Sequence, residues 1–255
     1  MYHNINYSII PIILRVVIII IIVNVIYILY ESSNRILYLR TITITTVLII
    51  LILTLIIQYF IIMKERYQEC RCTEVIKVSI RLAFIIFLII EFIAFNSLFW
   101  GYFHFTLTEY WPPVGIIKCN PFRLPLLNTC LLLRSALRLT VFHNYILLKN
   151  HNNYMRLIYL LITIILGIIF ILIQYEEYKD HLIYRLSDGI YGSIFYTLTG
   201  FHGRHVTIGI VILIVTTDLC KYATRSNHKG INAAIWYWHF VDVIWIFLFI
   251  FVYIY

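Results

Sequence analysis

The sequence predicts an all-α integral membrane protein with seven transmembrane helices. Of its 255 residues, 62% are hydrophobic and only 13% are charged, whereas about a quarter of the residues in soluble domains are charged. A bilayer core of about 30 Å requires about 20 apolar residues per helix. Seven such stretches, separated by short polar loops, account for the whole chain. We therefore expect a single membrane domain without a soluble domain or an internal repeat.

The spans are justified in chain order by their length and by the residues at their ends. The first two are apolar runs long enough to cross a bilayer, and the third and sixth exceed 20 residues, so they are expected to tilt or protrude. Prolines in the loop before the fourth span exclude a helix there. Ser187 or Asp188 can cap the sixth span, and an aromatic run opens the seventh. The predicted spans are Ile9–Tyr30, Thr41–Met63, Val78–Phe105, Pro125–Leu148, Arg156–Tyr175, Gly189–Thr217 and Asn232–Tyr255.

The distribution of basic residues in the loops predicts the orientation of the chain. More Lys and Arg residues fall on the side of the amino terminus than on the opposite side, which places the amino terminus on the positive-inside face. The net charge of +8 thus indicates a basic membrane face rather than a nucleic-acid partner. The basic residues on the amino-terminal side are Lys64, Arg66, Arg71, Lys77, Arg81, Lys149, Arg156, Lys221, Arg225 and Lys229.

Charged residues inside the apolar spans are the strongest candidates for function, because each is costly in lipid unless it is paired or hydrated. Glu91 lies near the bilayer midplane by its position in the third span. It is either a carboxyl that joins helices or an acid that handles protons or contacts lipid. The charged residues of the spans are Arg15, Glu91, Arg134, Arg138, Arg204 and Asp242.

Two histidines in the sixth span, His202 and His205, are three residues apart and lie on one helix face. They could ligate a metal or haem, or they could form hydrogen bonds to neighbouring helices. A metal site would need further ligands, for which His104, His143 and His239 are the candidates. Asp242 follows His239 by three residues, and the two could share a hydrogen bond within one turn. The cysteines are weak evidence for a metal, and a disulfide framework is not expected.

Arg134 and Arg138 are four residues apart in the fourth span, so they also share a face. Arg204 lies at a similar depth in the sixth span. An arginine at the centre of a membrane helix costs about 2.5–3.5 kcal/mol on insertion scales. A carboxylate or phosphate that accepts a bidentate hydrogen bond would offset this cost. We expect these arginines to contact an acidic residue of a neighbouring subunit or a lipid headgroup, with snorkelling to the membrane surface as the alternative.

Five sequence blocks resemble the cytochrome c oxidase subunit III family in order and spacing. Together they cover about residues 58–255, whereas residues 1–57 are similar only in having two spans. The arginines at 134, 138 and 204 depart from the small or apolar residues that the family usually has there. The blocks are IEFIAFNSLFWGYFH at 90–104, WPPVGI at 111–116, NPFRLPLLNTCLLL at 120–133, SDGIYGSIFYTLTGFHGRHVTIG at 187–209 and WYWHFVDVIWIFLF at 236–249.

The resemblance implies a metal-free core subunit of respiratory complex IV in the mitochondrial inner membrane, with the amino terminus on the matrix side. Two helices within residues 1–66 would form a V against the five helices of residues 67–255, and the cleft would hold phospholipid. Haem and copper would lie in partner subunits. The chain would stabilise subunit I, its proton uptake and an oxygen route through the cleft. Heavy use of isoleucine is typical of an AT-rich organellar genome.

The resemblance also implies roles and partners. Glu91 would be the buried acid of the cleft. The expected partners are subunits I and II, lineage-specific accessory subunits, and phospholipids that include cardiolipin. Rival interpretations are a multi-span carrier, which should show inverted repeats, a b-type haem protein and a pure assembly scaffold. The residues that would be structural or lipid-contacting are Trp100, His202, His205, His239 and Asp242.

Overall fold

A computed structural model describes Arg15, Ile19 and residues 74–107, 120–147, 153–180, 189–220 and 229–254. Within these residues the chain is helical without strands, and five helices are long and apolar enough to span a membrane. They confirm the third to seventh predicted spans, while the first two lie outside the described residues except for Arg15 and Ile19, which are helical and exposed. The helices are α1 (Glu74–Thr106), α2 (Leu124–Leu147), α3 (Asn153–Asp180), α4 (Gly189–Cys220) and α5 (Lys229–Leu248), which continues as a π-helical segment, Phe249–Ile254.

The start of α2 is set by local chemistry. The side-chain oxygen of Asn120 accepts a hydrogen bond from the backbone N–H of Phe122 at 3.0 Å, which closes a turn before the helix. Pro125 is the second residue of α2, where its missing N–H has no intrahelical acceptor to lose. The proline-rich segment therefore ends at a helix start, as the sequence predicts.

The boundary of the fifth predicted span is wrong at its carboxyl end. The prediction ends the helix at Tyr175 and assigns the next five residues to a loop, but α3 continues to Asp180. Lys179 and Glu176 form an ion pair at 2.9 Å on the exposed side of this extension, while Glu177 is fully buried. Charged residues extend a helix beyond the apolar core when one of its faces still packs against the protein, and a hydrophobicity scan does not detect this.

Helix α5 is the centre of the bundle within residues 79–255, which form one compact unit. Half of an 18-residue apolar stretch of its membrane span is buried, compared with 6% of the corresponding stretch in α1. Trp238 and Trp245 are each only 1% exposed. Helices in lipid gain little from the hydrophobic effect and depend on close packing and interhelical hydrogen bonds. The most buried aromatic residues therefore mark the positions that hold the bundle together.

Trp238 joins α5 to three other helices. Its indole N–H donates a hydrogen bond of 2.9 Å to the Ser135 hydroxyl of α2. Gly167 of α3 and Gly209 of α4 both lie against its ring: a Cβ on Gly167 would stand 2.7 Å from the ring atom Cη2, and one on Gly209 would stand 3.0 Å from Cε3. Only glycine allows these two backbones to approach the indole so closely.

Helix α1 contacts the rest of the unit through aromatic rings rather than through close backbone packing. Phe99 and Phe103 meet the ring of Phe251 edge-on, at 5.6 and 5.0 Å between centroids. Phe95 contacts Phe201 of α4 at 4.8 Å. These contacts place Glu91, which lies one turn before Phe95, against α4.

Candidate functional site

Glu91 and His205 form a carboxyl–imidazole pair between α1 and α4. The Glu91 Oε2 atom lies 3.0 Å from His205 Nε2, although the two residues are 114 positions apart in the sequence. Glu91 is residue 14 of the 29 in its span, and His205 is residue 15 of 28 in its own, so both lie at the middle of the membrane. The side chains are 22% and 4% exposed, respectively.

The hydrogen bonds of His205 fix how many protons this pair shares. Its Nδ1 atom lies 2.8 Å from the carbonyl oxygen of Phe201, and a carbonyl can only accept, so Nδ1 carries a proton. The contact between Nε2 and Glu91 then needs one further proton, which is on either the carboxyl oxygen or the imidazole. Both arrangements have no net charge, which lowers the cost of burying the pair at mid-membrane.

Aromatic rings surround His205 and limit the access of water. The ring of Phe201 lies 4.7 Å from the imidazole, that of Phe95 lies 5.2 Å away, and Tyr237 stacks at 6.4 Å. The Tyr237 hydroxyl also donates a hydrogen bond of 3.5 Å to the His205 carbonyl oxygen. Glu91 is the more exposed partner, so an exchanging proton would reach the pair from the Glu91 side.

His202 contacts a different part of the bundle. It is fully buried, and its Nε2 atom lies 3.1 Å from the Val241 carbonyl oxygen of α5, so Nε2 is the donor. Its ring packs against Trp245 at 5.0 Å and Phe170 at 5.7 Å. His202 thus joins α4 to α5 and α3, while His205 joins α4 to α1. The described residues contain no group of three His, Cys, Asp or Glu side chains that could hold a metal ion.

Asp242 is 7% exposed within α5. The hydrogen bond to His239 that the spacing would allow is absent from the described contacts, and the Asp242 Oδ1 atom has no hydrogen-bond partner there. His239 is half-buried. Residues three apart on a helix share a face, but they bond only when their side chains turn toward each other.

Trp100 lies at the edge of an apolar groove between α1 and the end of α5. Its side chain is 70% exposed and its ring stacks on His104 at 5.7 Å. The groove has a volume of about 360 Å³ and is partly open. Its walls are almost entirely aromatic, which suits an acyl chain better than a polar ligand. The lining residues are Phe92, Phe95, Asn96, Phe99, Trp100, Phe103, Phe247 and Phe251.

The three mid-span arginines lie on the outside of the described bundle. Arg134 and Arg204 are exposed and Arg138 is half-buried. Arg138 lies over the ring of Tyr159 at 5.9 Å, and Arg204 lies over Phe201 at 4.6 Å. No described carboxylate comes within ion-pair distance of any of the three. A cation–π contact compensates only part of the cost of a buried charge.

A polar cluster that was not predicted from the sequence lies in the core near the end of α3. The Asn128 side-chain amide donates to Gln174 Oε1 at 3.3 Å, and the Tyr178 hydroxyl donates to Thr199 Oγ1 at 2.8 Å. Glu177, between Gln174 and Tyr178 on the same face, is fully buried. The available signal was the spacing of Gln174, Glu177 and Tyr178 at positions i, i+3 and i+4, which predicts one helix face.

The thiol of Cys220, at the opposite end of α4 from this cluster, is chemically quiet. Cys220 lies at the end of α4, just beyond the membrane span Tyr191–Asp218, and it is a free, buried cysteine. Burial raises the pKa of its thiol to about 11, so the thiol remains protonated at physiological pH and is a poor nucleophile. Cys70 and Cys72 lie outside the described residues.

These features define a multi-span membrane protein with a buried carboxyl–imidazole pair at mid-membrane and an aromatic groove beside it. The chain belongs to the cytochrome c oxidase subunit III family, whose sequence model matches residues 1–255. The match includes the first two predicted spans, which contain none of the five blocks that carry the resemblance.

Relatives from distant organisms agree with this assignment. Cytochrome c oxidase subunit 3 of Loxodonta africana is 42% identical over 181 residues, covering 68% of each chain. The same subunit of Allomyces macrogynus is 40% identical over 192 residues, which are 72% of this chain and 69% of the relative. That of Papio hamadryas is 44% identical over 193 residues, covering 72% of each. The chain is therefore an integral protein of the mitochondrial inner membrane and a core subunit of the oxidase complex.

Proposed function

We propose that this subunit supports proton uptake by the catalytic part of the oxidase through the Glu91–His205 pair, and that it holds no redox centre itself. The single observation that carries the proposal is the 3.0 Å contact between the two side chains at the middle of their spans. Haem and copper belong to partner subunits, of which subunits I and II are the expected neighbours. Accessory subunits complete the complex, and the amino terminus lies on the matrix side.

The pair can hold a proton without acquiring a net charge. Transfer of the shared proton from the Glu91 carboxyl to His205 Nε2 leaves the pair neutral overall, whereas its release to a neighbouring group or water leaves the pair with a charge of −1 until another proton is taken up. The aromatic shell keeps His205 dry, which strengthens its hydrogen bonds. The pair is thus suited to buffer a proton for a neighbouring uptake path, rather than to catalyse a reaction.

The aromatic groove between α1 and α5 complements this role by holding lipid. Its apolar walls fit the acyl chains of phospholipids such as cardiolipin, and a bound chain would cover the side of α1 from which water could approach Glu91. The exposed ring of Trp100 suits the interface between acyl chains and headgroups. The same apolar groove offers dissolved oxygen a favourable environment, which supports an oxygen route along this face.

Substitution of Glu91 by Gln tests the role of the pair. Gln keeps the size and can still form a hydrogen bond to His205 Nε2, but it cannot release a proton, so we expect normal assembly and unchanged haem spectra. Turnover, or its persistence over many cycles, should fall modestly, with the difference depending on pH. The matched control is Glu176→Gln, at an exposed carboxyl that pairs with Lys179.

The pure scaffold is the alternative function, and the same experiment separates the two. If Glu91→Gln and the unmodified complex have the same turnover and the same durability across the pH range, the pair only joins helices. Retention of function by Glu176→Gln together with a loss in Glu91→Gln supports the proton-handling role.

The proposal that this polypeptide holds no redox centre can be tested separately. We expect the chain to co-purify with haem and copper in the intact complex, whereas the separated polypeptide should contain neither in stoichiometric amount. Metal analysis and absorbance spectra of the complex and of the separated chain provide the measurement. Stoichiometric copper or haem that remains on this polypeptide would contradict the proposal.

A further inference from the structure

The outward face of α2 differs from those of α1 and α3. Between Leu82 and Ile93 in α1, and between Leu161 and Leu172 in α3, every exposed position is apolar, as expected for surfaces that meet acyl chains. In α2 the exposed side contains Arg134 at its centre, with the half-buried Arg138 one turn further along. A surface made only for lipid would have no reason to carry two guanidinium groups.

Both arginines lie too deep for lipid headgroups to reach them without distortion of the bilayer. Arg134 and Arg138 are residues 11 and 15 of the 24 in the α2 span, about 2 and 4 Å from its middle at 1.5 Å per residue. The half-thickness of the hydrocarbon core is about 15 Å, which is longer than an arginine side chain. Arg138 is further held in place by its contact with Tyr159.

Neither the described residues nor the first two predicted spans supply a carboxylate for these arginines. Glu91 already pairs with His205, and no described carboxylate lies within ion-pair distance of Arg134 or Arg138. The first two predicted spans, Ile9–Tyr30 and Thr41–Met63, contain neither Asp nor Glu. Asp242, the other carboxyl at this depth, is buried within α5. A carboxylate that pairs with Arg134 or Arg138 is therefore expected from another polypeptide.

We propose that the outward face of α2 docks a transmembrane helix of a neighbouring subunit, and that this helix places an Asp or Glu side chain against Arg134 and Arg138. The Cα atoms of the two arginines are about 6 Å apart along the helix axis, so either one carboxylate between the side chains or two at helical spacing would match. Bidentate pairing of arginine with carboxylate is strong and directional, and it specifies the register of the docked helix.

The inference rests on membership of the oxidase complex and is independent of the Glu91–His205 proposal. Cys130 provides a probe of the surface, because it is exposed and precedes Arg134 by one turn on the same face. In the purified complex, a short thiol-directed photo-crosslinker on Cys130 should capture a peptide from another subunit. We expect that peptide to lie in a predicted transmembrane segment with an Asp or Glu at mid-span.

Variants test whether the arginines hold that helix. Replacing Arg134 and Arg138 with Leu removes two charges from the membrane, which favours insertion of α2 itself. Loss of the neighbouring subunit therefore cannot be attributed to failed insertion. We expect the captured subunit to become depleted from the complex by about tenfold or more, because each charge-assisted contact contributes strongly to association. Arg123→Leu, at an exposed arginine before α2, is the matched control and should retain every subunit.

A structure of the assembled complex tests the proposed contact directly. A carboxylate oxygen of another subunit within 4 Å of Arg134 or Arg138 supports the inference. Acyl chains alone, a lipid phosphate at both guanidinium groups, or full retention of all subunits by the Arg134→Leu/Arg138→Leu variant would each overturn it. Failure of the unmodified chain to co-purify with haem and copper would instead contradict membership of the complex.

Discussion

Gly167→Ala is expected to destabilise the bundle by about 1–3 kcal/mol, the usual range for an added carbon in a packed core. The new Cβ would stand 2.7 Å from the Trp238 ring and 3.1 Å from Ile210 Cγ1. Trp238 cannot move away freely, because its N–H is bonded to Ser135 on α2. The subunit should therefore dissociate from the detergent-solubilised complex at a lower temperature, measured by heating followed by native gels.

Gly203→Ala is the matched control for this effect. A Cβ at Gly203 meets nothing within 4 Å in the described residues, and alanine favours the helix over glycine by about 1 kcal/mol. The two substitutions should thus change stability in opposite directions, although each adds one methyl group to a membrane helix. Equal effects of the two variants would show that Trp238 does not depend on close contact with α3.

Glu177→Ala is expected to have the second large effect, with a loss of about 2–4 kcal/mol in the free energy of unfolding. The side chain is fully buried at the end of α3, and its removal leaves a cavity in a packed region. Its neighbour Glu176 is 60% exposed in its side chain, so Glu176→Ala should change stability by no more than about 0.5 kcal/mol. Chemical denaturation of the complex, followed by tryptophan fluorescence and subunit release, measures both.

The contrast between these adjacent glutamates decides whether the polar cluster stabilises the fold. If Glu177→Ala unfolds at the same denaturant concentration as Glu176→Ala, the buried carboxyl contributes nothing to stability. A loss of stability in Glu177→Ala but not in Glu176→Ala would assign a structural role to a residue that the sequence predicts to lie in a loop.

Apolar run length alone determined the presence and order of the five described helices. Lipid excludes unpaired backbone groups, so any long apolar stretch in it becomes a helix, and the prolines before α2 set its start. The order and spacing of the five sequence blocks were sufficient to identify the family. The ends of α3 and α4 were placed too early, because charged and polar residues such as Glu176 and Asp218 still belong to helices that extend past the apolar core.

Tertiary structure alone decided which polar residues meet. The spacing of His202 and His205 predicted one face, yet each bonds to a different helix, and no local signal connects His205 with a carboxyl 114 residues away. Likewise, the sequence marked Glu91 as unusual but left its partner open, and it did not distinguish buried Glu177 from exposed Glu176. Composition and periodicity report on one helix at a time, whereas hydrogen-bond pairing depends on how helices are rotated against one another.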